Sequence, residues 1–138
     1  MTALRPVPWW RVRQLVNAVN GSTLLGLGVA LAGRARLRPG RNGVLLAEGY
    51  RLPIPDRPAF TIGDVVLTPH PDGWLEAHPR LLAHEERHAW QYAACLGLPF
   101  LPLYALASAW SWLRTRDPGR ANAFEVLAGL ADGGYPLR

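Results

Sequence analysis

The chain has 138 residues, the size of one compact domain, and 49% hydrophobic against 18% charged residues excludes a disordered or purely solvating chain. All fifteen basic residues are Arg, which excludes P-loop-lysine, Schiff-base-lysine and Ser-Lys chemistry; the lone Cys95 excludes an internal disulfide framework and a CxxC zinc knuckle, and fits a reducing compartment. The net charge of +5 sits in the first half: residues 1–57 hold nine Arg against two acids, residues 58–138 six Arg against eight, so the basic half reads as a solvated face and counter-charge to the other half.

Residues 1–33 read as a basic arm carrying Trp9 and Trp10, then a short buried helix capped by Ser22 or Thr23 and stopped at Gly33. Arg11 and Arg13 ahead of the apolar stretch sketch a signal peptide, but Asn17, Asn20 and Gly21 interrupt it. The continuous apolar part, Leu24 to Ala32, falls far short of the roughly 20 residues a spanning helix needs. Residues 34–73 read as a β region. Ala35–Arg38 and Val44–Ala47 flank the turn cluster Pro39–Gly43 as a hairpin, and Arg51 to Pro58 is an irregular connection. Phe60–Ile62 and Val65–Thr68 form a second hairpin around Gly63-Asp64.

Residues 74–138 read as helical, with helices over about 79–96, 101–114 and 122–132. His78 offers a cap before Pro79, Gly97 a stop, and Asn122 the cap of the last helix. Prolines break the uncharged stretch Ala89 to Leu113, so 101–114 is expected as a core helix about 21 Å long, not a membrane span, with Trp110 and Trp112 suited to an interface. Strands first and helices after predict an α+β fold in a single domain, 1–138.

His84-Glu85-Glu86-Arg87-His88 is an HExxH pattern inside a predicted helix. Positions i and i+4 share a face with Cβ atoms about 5–6 Å apart, so two imidazoles can hold one Zn²⁺. Glu85, about 100° round the helix from His84, is placed to take a proton from a metal-bound water and return it to a leaving amine. The alternative is a surface helix with solvated His and Glu–Arg pairs. A catalytic zinc site takes a third protein ligand. His78 faces elsewhere; His70 could fold back from its turn; Glu125, 37 positions after His88, opens the last helix among apolar neighbours, where a carboxylate pointing inward needs a partner, the alternative being a first-turn acid favoured by the helix dipole. Asp132 reads as a polar residue near the C-terminus. Ser108 and Ser111 read as packing residues, Cys95 as a buried hydrophobe, and the six Trp as core and interface residues.

His84-Glu85-x-x-His88 followed by Asn122-x-x-Glu125-x-x-Ala128 resembles the zincin metallopeptidases of the gluzincin type, and Leu82-Ala83-His84-Glu85-x-Arg87-His88-x-x-Gln91-Tyr92 looks like small bacterial zincin-like proteins. The resemblance covers about residues 79–132. It implies one zinc ion held by His84, His88 and Glu125, Glu85 as general base, and an edge strand that receives the substrate backbone, for which Val65–Thr68 is the nearest candidate. The spacing to Glu125 exceeds that of thermolysin-like enzymes, and Ala123 stands where relatives often have Pro. Tyr135, Tyr104, Tyr92 and Arg87 are all candidates to stabilise an oxyanion.

The expected function is a zinc metallopeptidase hydrolysing peptide or protein substrates, with a non-catalytic zinc-binding interaction module as the alternative. A cytoplasmic location is expected, with peripheral membrane contact or export as alternatives. The chain lacks nucleic-acid-fold signatures, so no nucleic-acid partner is expected.

Overall fold

The two expected hairpins form and fuse into one sheet. In the computed structural model, which describes residues 6–135, the elements run α1 (Trp9–Val19), α2 (Ser22–Ala32), β1 (Arg36–Pro39), a 3-10 turn (Arg41–Gly43), β2 (Leu45–Glu48), β3 (Phe60–Ile62), β4 (Val65–Thr68), α3 (Pro79–Ala94), α4 (Phe100–Thr115) and α5 (Ala123–Ala128). The class is α+β, with two helices ahead of the sheet as well as three after it. The first five residues of the expected basic arm lie outside the described residues.

β1 pairs antiparallel with β2, β3 antiparallel with β4, and β2 joins β4 in parallel, Leu45 opposite Val65 through Glu48 opposite Thr68. The order is β1-β2-β4-β3. Val65–Thr68 is therefore an inner strand, and the expectation that it forms the edge is corrected: the edges are β1 and β3. Continuous apolar runs, such as Val44 to Ala47 and Val65 to Leu67, suit strands covered on both faces. Leu46 and Val66 pack with Val44, Leu75 and Leu82 on the α3 side. Ala47, Val65 and Leu67 pack with Ala30 and Tyr50 on the α2 side. α2 approaches the sheet through Ser22, Gly26 and Ala30, at i, i+4 and i+8. A Cβ at Gly26 would lie 2.9 Å from Val65 Cβ, so only glycine permits this approach.

The N-terminal zone differs most from expectation. Trp9–Val19 is a helix whose buried residues are polar, Arg13 and Asn17, while Val12, Leu15 and Val19 face outward. α2 is not the buried helix expected, since Leu24 is 72% and Leu31 80% exposed. α4 is no core helix either: of its sixteen residues only Phe100 and Ser111 are buried. α5 ends at Ala128, four residues before the expected 132, because Gly129 takes φ 95° and leaves the helix. Several Trp side chains lie at the surface, not in the core, among them Trp9, Trp110 and Trp112.

Several arginines of the basic half do act as counter-charge. Arg13 pairs with Asp64 and Glu86, Arg36 with Asp72, Arg38 with Glu48 and Glu76, and Arg41 with Glu86. Among the described residues, no single helix is long and apolar enough to cross a membrane.

Candidate metal centre

α3 distributes its residues by helical geometry to three neighbours. Leu82 enters the core against the sheet. Glu86 turns to α1 and the β1–β2 connection, where it accepts from Arg13 and Asn42 and forms an ion pair with Arg41. Glu85 turns to the edge strand β3, where the Thr61 hydroxyl donates to its Oε2 at 2.6 Å. His84 and His88, one turn apart, face α5.

α5 presents Glu125 from its first turn. Asn122 caps the helix by accepting the Phe124 N–H at 2.9 Å, and its amide donates to Ser108 of α4. Ser111, buried on α4, donates to the Asp117 carbonyl and accepts the Ala121 N–H. The two serines thus fasten the turn that delivers Glu125; they are polar anchors and not the packing residues expected.

His84 Nε2 lies 2.9 Å from Glu125 Oε2 and 3.1 Å from His88 Nε2; His88 Nε2 lies 3.3 Å from the same carboxylate oxygen. All three side chains are buried. Tetrahedral donors about 2.0–2.1 Å from one ion stand about 3.3 Å apart, so the three atoms already hold almost the spacing a zinc ion needs. The tautomers agree with this. His84 Nδ1 lies 2.8 Å from the Gly129 carbonyl, which can only accept, so Nδ1 carries the proton. His88 Nδ1 lies 2.8 Å from Gln91 Oε1, and the Gln91 amide is oriented by donating to the Phe124 carbonyl. Each Nε2 is thus the ring nitrogen that faces the common point, donating to Glu125 while the ring is charged and offering its lone pair once the ring is neutral.

Charge at the centre is paired: the carboxylate is favoured at Glu125 and the protonated ring at His88. Burial alone would raise the Glu125 pKa, but hydrogen bonds from His84, His88 and Tyr104 hold it far below the usual carboxylate range. Burial opposes a charge on His88, yet its bond to Glu125 and the neighbouring Glu85 carboxylate lift its pKa above the ordinary value. Burial raises the Tyr104 hydroxyl well above the usual phenol, as do the adjacent Glu125 charge and hydrogen bond, so it stays a donor to Glu125 Oε1.

Glu85, His88 and Glu125 open on one cavity of about 310 Å³, walled largely by apolar residues that include Phe60, Tyr92, Phe100 and Leu101. Arg57 stands on the same wall, 3.6 Å from Glu125 Oε1, and donates to the Tyr135 hydroxyl.

The other candidate ligands go elsewhere. His70 and His78 stack on opposite sides of Trp74, with ring centroids 3.9 Å away in each case. Asp132 accepts from Arg80 and Arg87, as a polar surface residue would. Arg87 also donates to the Ala128 carbonyl at the end of α5, which removes it from the oxyanion candidates; Tyr92 and Tyr104 line the cavity, and Tyr135 touches it only through Arg57. Cys95 is half-buried at the end of α3. Sequence reasoning missed Arg57, Thr61 and the bracing role of Gln91. Gln91 had a signal, three residues after His88 on one helix face; Arg57, in a proline-rich connection, had none. Compared with protein-family models, curated proteins and solved structures, the chain matches none.

Proposed function

We propose that this chain is a zinc-dependent peptidase in which His84, His88 and Glu125 hold the ion and Glu85 is the general base. The observation that carries the reading is the convergence of two Nε2 atoms and one carboxylate oxygen, within 2.9–3.3 Å of one another, beside a cavity that Glu85 also lines. A zinc ion at this point supplies a Lewis acid that acidifies water and polarises a carbonyl. Glu85 takes the proton of the attacking water on its carboxylate and passes it to the leaving amine nitrogen. The Thr61 hydroxyl fixes one Glu85 oxygen, so the carboxylate is oriented before substrate arrives. Arg57, the cation on the cavity wall, is placed to donate to the carbonyl oxygen as negative charge grows there. The edge strand β3, whose three residues line the cavity, offers the backbone for an extended substrate.

Two measurements test this. The purified protein should bind about one zinc ion per chain, and hydrolysis of a peptide library should require it. Glu85→Gln should keep the zinc and lose hydrolysis by about 10²–10⁴-fold, since an amide cannot accept the proton. Unaltered hydrolysis in Glu85→Gln would reject the mechanism. Full zinc binding without hydrolysis of any peptide would leave a zinc-binding module instead.

A further inference from the structure

A helix that is apolar on all sides is normally buried. α4 breaks that rule. It carries no charge from Phe100 to Leu113, yet Leu103, Leu106, Trp110, Trp112 and Leu113 are 45–70% exposed. α2 behaves alike in part: its small residues face the sheet, Leu27 and Val29 pack on the core, and Leu24, Leu25 and Leu31 face outward. The two helices begin at one corner of the molecule, where Gly97 of the α3–α4 turn packs on Asn20 of the α1–α2 turn. Both wall the cavity beside the candidate metal centre, through Val29 on one side and Phe100, Leu101 and Tyr104 on the other. Water-soluble monomers rarely expose contiguous apolar surface beyond a few hundred Å².

Along the chain these helices are flanked mainly by arginines, although Asp117 follows Arg116 directly and Asp64 lies buried beside the start of α2. No acid occurs between the start of α2 and Glu48, nor between Arg87 and Asp117. Arg34 follows α2, and Arg114 and Arg116 close α4; among the described residues none of the three makes an ion pair. Arg114 and Arg116 instead lie over the rings of Trp110 and Trp112, at 5.4 and 4.5 Å from their centroids. Uncharged large side chains, Trp at the end and unpaired Arg beyond them suit the boundary between lipid tails and anionic headgroups. A second copy of the chain fits less well, because its matching face would bring arginines against arginines.

We propose that the outward faces of α2 and α4 are a peripheral docking surface for an anionic lipid bilayer. The inference does not depend on the peptidase reading. If both hold, the cavity lies against the membrane and its substrates are proteins of the bilayer surface.

The test is co-sedimentation of the full-length chain with vesicles of phosphatidylcholine alone and of phosphatidylcholine mixed with phosphatidylglycerol, with light scattering to read its mass. The chain should pellet with the mixed vesicles, less with the neutral ones, and salt should weaken the binding. Leu106→Asp with Trp110→Asp, at positions that are already exposed, should keep the circular dichroism spectrum and weaken binding by about tenfold or more. Arg114→Gln with Arg116→Gln should abolish the preference for the anionic vesicles. A chain that stays in the supernatant with both vesicles, or whose aspartate variant binds as well as the parent, overturns the proposal. So does a dimer that the aspartate variant splits while no vesicle is bound.

Discussion

At the residue scale, the candidate centre depends on side chains whose positions are set by packing. Glu125 is held by Tyr104, by the Asn122 cap and by the helix it opens, so its placement does not need an ion. Glu125→Ala should therefore leave the fold intact and weaken zinc binding by about 100-fold or more, beyond the 10–100-fold typical of losing a ligand's hydrogen-bond partner. Competition with a chromogenic chelator reads this, and unchanged affinity would remove Glu125 from the ligand set. Gly133 makes a subtler test. A Cβ there would sit 2.6 Å from His84 Cε1 and 2.8 Å from its Nε2. Gly133→Ala must push the imidazole or the loop aside, so zinc affinity should fall although no ligand is changed. Thermal melts of the metal-free protein should move far less than the affinity does; equal losses in both would mean that Gly133 serves only the fold.

At the element scale, α1 is fastened by a buried charge and not by an apolar face. Arg13 is fully buried and donates to Asp64 Oδ1 at 3.2 Å, Glu86 Oε1 at 3.3 Å and the Asn42 carbonyl at 2.5 Å, tying α1 to the β3–β4 turn, α3 and the 3-10 turn. Removing one partner of a buried pair typically costs about 3–5 kcal/mol, so Arg13→Met should destabilise the chain by that order in denaturant titrations. The pH dependence has a definite sign. Burial raises the Asp64 carboxyl above its ordinary 3.8 even with Arg13 and Asn17 opposing it. A raised acid binds its proton more tightly in the folded state, so stability falls as pH rises through the folded value. Losing Arg13 raises Asp64 further; the deficit of Arg13→Met should thus be smallest in mild acid and grow toward neutral pH. The same inversion explains why α1 escaped sequence reading. Amphipathic patterns are read with the apolar side inward, and here Arg13 and Asn17 point in while Val12, Leu15 and Val19 point out. The hairpins, α3 and the Asn122 cap were legible because turn chemistry, helical spacing and capping are local. The parallel β2–β4 joint was not, since it depends on pairing across residues 49–64, and so Val65–Thr68 was misplaced at the edge. Glu125 was legible as a buried carboxylate in want of a partner; its rival His70 was eliminated only by stacking on Trp74, whose other side takes His78, already expected to face elsewhere.

At the scale of the whole molecule, the centre joins α3, which packs on the sheet, to α5, a helix of only six residues. Without an ion, the bond between them rests on Glu125 with two imidazoles, Arg87 on the Ala128 carbonyl, and Gln91 on the Phe124 carbonyl. An ion that binds the folded chain and not the unfolded one stabilises it by about 4.1 kcal/mol when free zinc is 1,000 times the dissociation constant. For a domain of this size each kcal/mol is worth several degrees, so saturating zinc should raise the melting temperature by about 10 °C or more over the chelated protein. Because the gain comes from the ligands and not from the chemistry, Glu85→Gln should show the full shift. His84→Ala and His88→Ala should show almost none. The region that tightens should be local as well: amide exchange should slow most in residues 122–130 and in the C-terminal half of α3, and little in β1, on the far edge of the sheet. A zinc-induced shift that is equally large in His84→Ala, or that leaves α5 exchange unchanged, would place the ion elsewhere on the surface and separate it from the cavity that Glu85 and Arg57 share.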